Sequence, residues 1–291
     1  MAKPFLKWAG GKRQLLDEIS DSLPAEIGDC TTYLEPFIGG GAVLFHMLEN
    51  HSFEAIHVSD LNPELVLCYR TIKTEVESVI SHLRDLSERY PEDQDGKSDM
   101  FYRVRKEWNG KVGLADTATG DDAALRTAQT IFMNRTCFNG LFRVNSKGEF
   151  NVPIGSYTNP RILDEDNLRA VSEALQDVMI HLGSYEECET LVDGRTFVYF
   201  DPPYMPISST SSFTSYSKAG FGEQQQVELG ALFKRLHEKG AKLMLSNSDP
   251  ENGFFDELYA DFRIERVLAT RNINSKGEGR GKISEILVTN Y

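Results

Sequence analysis

Cysteine is scarce in this chain of 291 residues: there are four, at positions 30, 68, 137 and 188. None forms a Cys-x-x-Cys pair, and none has histidines at zinc-finger spacing. A disulfide framework and a zinc site are therefore excluded, and reduced thiols with no metal are expected. Long apolar runs are absent too. The opening stretch, Met1-Ala-Lys-Pro-Phe-Leu-Lys-Trp8, has no apolar core, so neither a signal peptide nor a transmembrane helix is expected. Also missing are Gly-x-Gly-x-x-Gly and a glycine-rich turn ending in Gly-Lys-Ser/Thr, which argues against a generic nucleotide-binding domain that grips phosphate. Positive charge is in short supply: 31 Lys and Arg stand against 44 Asp and Glu, for a net charge of −13. Taken whole, that balance disfavours a polyanionic partner.

The distribution softens this conclusion. Three stretches each carry a surplus of four basic residues. Residues 1–16 hold Lys3, Lys7, Lys12 and Arg13, and residues 126–148 hold Arg126, Arg135, Arg143 and Lys147. Residues 266–283 hold Arg266, Arg271, Lys276, Arg280 and Lys282 against Glu278. If these islands share a face, a polyanion could bind there.

What is present is an alternation of strand and helix signals. Thr32–Glu35 reads as a strand, followed by a Gly39-Gly-Gly41 turn and a helix over Ala42–Glu49. Ala55–Ser59 reads as a second strand ending at Asp60, which gives a βαβ start. From Pro63 to about Thr158 the pattern is amphipathic and helical, interrupted by a polar hairpin. Its turn is Asn145–Gly148, between Leu141–Val144 and Glu149–Val152. Asp164 suits the cap of a helix over Glu165–Leu175. Strand signals return at Val178–Leu182, Thr196–Phe200, Lys242–Ser246, Phe262–Thr270 and Glu285–Asn290, with a helix over Glu223–Glu238. The Ser-rich stretch Met205–Phe221 reads as a mobile loop. The predicted fold is α/β: a doubly wound mixed sheet with an inserted helical domain that carries the hairpin. The expected boundaries are 1–62 and 160–291 for the sheet domain and 63–159 for the insertion. In such a sheet the ligand crevice lies at the strands' carboxyl ends, where strand order reverses.

Chemistry concentrates at that crevice. The apolar run Phe197–Phe200 ends in Asp201-Pro-Pro-Tyr204, and the prolines stiffen the backbone just past the strand. The tip offers a carboxylate (Asp201), a carbonyl (Pro202) and an aromatic face (Tyr204). An exocyclic amino group on a flat base has two N–H donors and a π-face, which two acceptors and a ring match. Taken alone, the four residues also fit a Pro-rich turn. Glu35-Pro-Phe-Ile-Gly-Gly-Gly41 fits Phe-x-Gly-x-Gly, whose glycines allow close approach of a ligand to the backbone. Glu35 could offset a positively charged ligand, and Asp60 is placed to bond ribose hydroxyls. Lys12 is a candidate partner for a ligand carboxylate, and Trp8 offers an aromatic wall where cation–π attraction is on the order of 1 kcal/mol.

Five motifs occur in a telling order: Lys7-Trp-Ala-Gly-Gly-Lys12, Glu35–Gly41, Asn134-Arg-Thr-Cys-Phe-Asn-Gly-Leu-Phe-Arg143, Gly148-Glu-Phe-Asn-Val-Pro-Ile-Gly155 and Asp201–Tyr204. With Ser211–Tyr216 and Leu245–Asp249, they closely resemble the Dam-type (α-group) site-specific DNA adenine-N6 methyltransferases over nearly the whole chain. The resemblance implies a Rossmann-like class I methyltransferase fold. It implies transfer of a methyl group from S-adenosylmethionine to N6 of a flipped-out adenine, most often in 5′-GATC-3′, with S-adenosylhomocysteine as product. Asp201, Pro202, Pro203 and Tyr204 carry over as the catalytic set. Trp8, Lys12, Glu35, Phe37, Gly39, Gly41, Asp60 and Asp201 carry over as cofactor contacts. Lys7, Phe138, Asn139, Leu141, Arg143, Pro153 and Tyr157 carry over as DNA contacts. Arg143 suits a bidentate contact with guanine O6 and N7, and Lys7 resembles a lysine that reaches the first guanine. Phe138 stands where many relatives have tyrosine; it keeps the stacking face and loses the hydroxyl. Ser156 stands where some relatives have a basic residue. Double-stranded DNA is the implied partner, and the resemblance implies a monomer, located in the cytoplasm and associated with the nucleoid when bound to DNA. It covers housekeeping methylases, the methylase half of restriction–modification pairs and phage-borne enzymes alike. The competing readings are a cytosine-N4 methyltransferase, whose donor geometry is similar, and a non-catalytic DNA-binding regulator on the same scaffold.

Overall fold

The computed structural model describes residues 1–204, 221–250, 252–270 and 282–291. The chain divides into two compact units. One comprises Met1–Ala9, Gly39–Gly41 and Asn62–Gln176; the other comprises Gly10–Ile38, Ala42–Leu61 and Asp177–Tyr291.

The second unit is built on a seven-stranded sheet. In chain order its strands are β1 (Thr32–Glu35), β2 (Ala55–Asp60), β3 (Val178–Leu182), β4 (Thr196–Phe200), β5 (Lys242–Ser248), β6 (Arg263–Thr270) and β7 (Lys282–Thr289). Their spatial order is β3-β2-β1-β4-β5-β7-β6. Every pair is parallel except those made by β7, which runs antiparallel between β5 and β6. This is a mixed, Rossmann-like α/β sheet, as expected. All five residues of β4 are buried, as expected for an apolar central strand covered on both faces. Its register sets Tyr33 beside Phe197 and Leu34 beside Val198, and the Tyr33 and Phe197 rings stack at 5.9 Å. The helices of this unit are α1 (Leu16–Asp21), α2 (Ala42–Asn50), α7 (Glu223–Glu238) and α8 (Phe254–Leu258). One layer of the core joins Leu34, Val198, Phe200, Leu243, Leu245, Ile286 and Val288 to α7 through Leu229, Leu232, Phe233 and Leu236. The strand order reverses between β1 and β4, so their carboxyl ends, Glu35 and Asp201, flank the switch point.

The first unit is helical. Helix α3 (Pro63–Glu88) is started by Asn62, whose side chain accepts from the Glu64 and Leu65 amides, with proline next in the chain. It buries Leu65, Tyr69, Ile72, Val79, Ile80, Leu83 and Leu86, and kinks at Glu75, where φ is −131°. It packs with α5 (Gly120–Thr136) and α6 (Glu165–Ala174), and α4 (Gln94–Asn109) packs with α5. At its centre Arg126, 1% exposed, donates to both carboxylate oxygens of Glu64 at 3.0 and 2.6 Å and lies 3.7 Å over the Trp108 ring.

The predicted hairpin is reduced to isolated bridges, Val144 with Phe150 and Cys137 with Ile154. Its turn is as expected: the Gly148 amide donates to the Asn145 carbonyl. Backbone bonds cross the hairpin on either side of the Val144–Phe150 bridge, from the Asn145 amide to the Glu149 carbonyl and from the Asn151 amide to the Arg143 carbonyl. Side chains hold other backbone groups of the second strand: Asn109 both accepts from the Phe150 amide and donates to the Phe150 carbonyl, and Arg105 donates to the Val152 carbonyl. Among the described residues no helix is long and apolar enough to cross a membrane. The Ser-rich stretch falls outside the described residues except for Phe221.

Candidate active site

Beyond β4 the chain turns through Asp201-Pro-Pro-Tyr204, and the second unit surrounds this turn with polar groups. Lys12, 2% exposed, places Nζ 2.6 Å from Asp201 Oδ1. The same ammonium donates to the Tyr204 hydroxyl and the Gly10 carbonyl, each at 3.0 Å, and sits 4.7 Å from the Tyr204 ring centroid. Tyr204 in turn donates to Glu285 Oε1 at 2.8 Å. Glu285 Oε2 lies 3.7 Å from Lys12 Nζ. From β5, the Ser246 hydroxyl donates to Asp201 Oδ1 at 3.3 Å and pairs with the Tyr199 hydroxyl at 2.8 Å. Among the described residues both bonds to Asp201 use Oδ1, and no donor meets the Pro202 carbonyl. The turn is also held from below: Gln226, fully buried, donates to the Pro203 carbonyl and accepts from Asn247.

Burial dominates the electrostatics. It pushes Asp201 above the ordinary carboxylate range, opposed by the ammonium of Lys12. For Lys12 burial acts the other way, yet Asp201, Tyr204 and Glu285 together hold its ammonium well above its usual value. Burial also pushes the Tyr204 hydroxyl up. At the end of β1, Glu35 is 2% exposed and accepts from the Tyr33 hydroxyl at 2.7 Å. Its carboxyl is pushed up to about 8 by burial, with Tyr33 opposing and Asp201 adding to the rise. Phe37 stacks on Tyr185 at 5.3 Å and meets the Phe221 edge. Asp60 ends β2, half-buried, with its carbonyl accepting from the Gly183 amide. Among the described residues no cluster of three or more His, Cys, Asp or Glu side chains is arranged to hold a metal.

The remaining sequence-predicted residues lie in the helical unit. Trp8 stacks on Phe142 at 5.7 Å. Gly39 and Gly41 have φ of 47° and 73°, a region that favours glycine. Lys7 Nζ lies 4.2 Å from the Tyr157 ring centroid. Its backbone is clamped by Asn134, 1% exposed, which accepts from the Lys7 amide at 2.8 Å and donates to the Lys7 and Gly140 carbonyls at 2.9 and 2.8 Å. Phe138 is 44% exposed and Asn139 has φ of 56°, the one positive value at a non-glycine among the described residues. Arg143 is half-buried and donates to Asn151 Oδ1 at 2.7 Å; Leu141 is half-buried and Pro153 exposed.

The basic islands are only partly free charge: Lys12 and Arg126 are buried in ion pairs and Arg135 donates to the Phe5 carbonyl, while Lys3, Arg13 and Lys147 are exposed. Arg266 pairs with Asp249 and Asp256, and most of its island lies outside the described residues. The ammonium of Lys12 is engaged within its own unit by Asp201, Tyr204 and the Gly10 carbonyl. Sequence reasoning missed Ser246, Tyr199 and Glu285. The signal for Glu285 was available: it is a lone carboxylate in the apolar strand Ile283-Ser-Glu-Ile-Leu-Val288.

Comparison with known proteins identifies the site's lineage. The family model for D12 class N6 adenine-specific DNA methyltransferases matches residues 8–273. The chain is 46% identical to the type II methyltransferase M.MjaIII of Methanocaldococcus jannaschii, over 99% of each chain. It is 40% identical to the type II methyltransferase M1.LlaDCHI of Lactococcus lactis subsp. cremoris, over 99% of this chain and 95% of that one. It is 33% identical to the DNA adenine methylase of Escherichia coli K12, over 98% of this chain and 94% of that one. The chain therefore belongs to the D12 class of N6 adenine-specific DNA methyltransferases.

Proposed function

We propose that the enzyme transfers a methyl group from S-adenosylmethionine to N6 of an adenine flipped out of double-stranded DNA, in 5′-GATC-3′. The observation that carries this reading is the Asp201–Tyr204 turn at the switch point. It combines one carboxylate oxygen and one carbonyl without donors among the described residues with an adjacent ring, which is the donor and stacking complement of an exocyclic amine. The adenine N6 lone pair is delocalised into the ring. Asp201 Oδ2 and the Pro202 carbonyl would accept its two N–H bonds and favour a more sp³-like nitrogen as positive charge develops. Tyr204 would stack on the base, and positioning would supply much of the acceleration.

The carboxylates support a cationic ligand with a ribose. Glu35 is buried, accepts from the Tyr33 hydroxyl and carries a raised pKa, so a neighbouring positive charge would be favoured there. Asp60 at the end of β2 would bond ribose hydroxyls, and Phe37 would line the adenosyl group. The turn after β1 supplies Gly39 and Gly41. When bound, S-adenosylmethionine supplies an electrophilic methyl group. In the helical unit, Lys7 and Arg143 would read guanines and Phe138 would enter the base stack, with Asn139, Leu141, Pro153 and Tyr157 beside them.

The test is transfer of labelled methyl to matched duplexes containing GATC, GTTC or neither, with Asp201→Ala as control. We expect product on GATC alone and a loss of at least about a hundredfold in the variant. Label on many adenine sites would reject the GATC reading, and label on no duplex would reject the methyl-transfer reading.

A further inference from the structure

Glu285 is a carboxylate that the mechanism above does not use, yet it is built into the site. It is 8% exposed, in the middle of β7. Its Oε1 accepts from the Tyr204 hydroxyl, while Oε2 is buried without a hydrogen bond among the described residues and lies 3.7 Å from Lys12 Nζ. A buried carboxylate oxygen left unsatisfied is costly, and a neutral residue could serve Tyr204 equally well as an acceptor. Charge is what Glu285 adds. The cluster holds one ammonium between two carboxylates, Asp201 at 2.6 Å and Glu285 at 3.7 Å. With both carboxylates ionised, its net charge is negative. A site that must stabilise a nitrogen gaining positive charge benefits from that sign.

We infer that Glu285 is a positioning residue for methyl transfer: it holds Tyr204 by its hydroxyl and shares Lys12, so that Asp201 is fixed in place without being fully neutralised. This inference rests on the methyl-transfer reading above. The groups that face Asp201 are Lys12 from the segment before β1, Glu35 at the end of β1, Tyr199 on β4, Tyr204 past it, Ser246 on β5 and Glu285 on β7. Of the charged groups among them, Lys12 and Glu285 act on Asp201 with opposite sign, and each is within 4 Å of the other. Removing the Glu285 charge leaves Lys12 to Asp201 alone. Asp201 then becomes a weaker acceptor and a stronger acid.

The test is the pH dependence of single-turnover methyl transfer to a GATC duplex for wild type, Glu285→Gln and Glu285→Asp. Glu285→Gln keeps an acceptor for Tyr204 and loses the charge. Its plateau rate should fall about tenfold, and its acidic limb should move to lower pH by about half a unit or more. Glu285→Asp keeps the charge, so its acidic limb should stay at the wild-type pH even where its rate is reduced. A Glu285→Gln limb that does not move, or a plateau within twofold of wild type, overturns the inference. If Glu285→Gln does not fold, Glu285→Asp carries the test: a reduced rate with an unmoved limb supports the inference, and a wild-type rate or a shifted limb overturns it. Wild type failing to methylate the duplex would instead sink the methyl-transfer reading itself.

Discussion

Gly140→Ala should damage both the stability of the helical unit and its discrimination among DNA sites. Gly140 has φ of 64°, and a Cβ there would lie 2.3 Å from Lys7 Cδ and 2.8 Å from Lys7 Cβ. Two penalties follow. The left-handed conformation costs about 1–2 kcal/mol for a residue with a Cβ. The overlap adds about 1–3 kcal/mol, as overpacking does. Rotating the far end of Lys7 does not relieve it, because Lys7 Cβ is itself too close and the Lys7 backbone is held by Asn134 on both its amide and its carbonyl. Gly113→Ala isolates the first penalty: its φ is 86°, and nothing lies within 4 Å of its would-be Cβ. At about 2–4 °C per kcal/mol for a chain of this size, Gly140→Ala should melt roughly 5 °C below Gly113→Ala. Methyl transfer to GATC and to duplexes with the first guanine replaced supplies the second readout. If Lys7 reads that guanine, its displacement should cut the preference for GATC by about tenfold or more, since a good base contact contributes about 1–3 kcal/mol. Equal melting temperatures for the two variants would refute the packing argument. A full loss of stability with unchanged preference would refute the role given to Lys7.

Two further predictions concern buried charge. Arg126→Met leaves Glu64 without its guanidinium, and should destabilise by about 3–5 kcal/mol in denaturant titrations; adding Glu64→Gln should recover much of that loss. If the single and double variants unfold at the same denaturant concentration, the ion pair is not the reason. Glu35 carries a carboxyl raised by burial to about 8 from an ordinary 4.5. Between those values the folded chain holds a proton that the unfolded chain has released, so stability falls as pH rises through that window. Glu35→Gln keeps an acceptor for Tyr33 and removes the proton, so it should be more stable than wild type at pH 8, with the gap closing towards pH 5. A gap that is constant with pH would show that Glu35 does not titrate in this way.

The architecture was legible where local pattern and tertiary need agree. The uninterrupted apolar run of β4, the alternation in β2 and the spacing in α7 each report the face they bury, and the structure has those elements. The adenine methyltransferase family was legible from motif order. The hairpin's turn was legible from its residues, while the side chains that hold its second strand, Asn109 and Arg105, lie more than thirty positions away. The pairing of two island residues was not legible for the same reason: the carboxylate that neutralises Arg126 is Glu64, and those that surround Lys12 are Asp201 and Glu285. Charge counted along the chain does not reveal partners brought in by folding. The kink at Glu75 has no glycine or proline to announce it.

The position of β7 has a consequence for synthesis. A ribosome releases the helical unit's last stretch, which ends at Gln176, before it has made β4, β5 or β7. The helical unit can therefore close while the sheet is still incomplete. Within the sheet, β6 pairs with β7 and with no other strand among the described residues, so it emerges as an open edge and waits for the strand made after it. That strand slots between β5 and β6 and brings Glu285 with it. The nascent chain thus acquires the carboxylate beside Tyr204 only in the step that completes its sheet, and a chain stalled before β7 would carry the Asp201 turn without it.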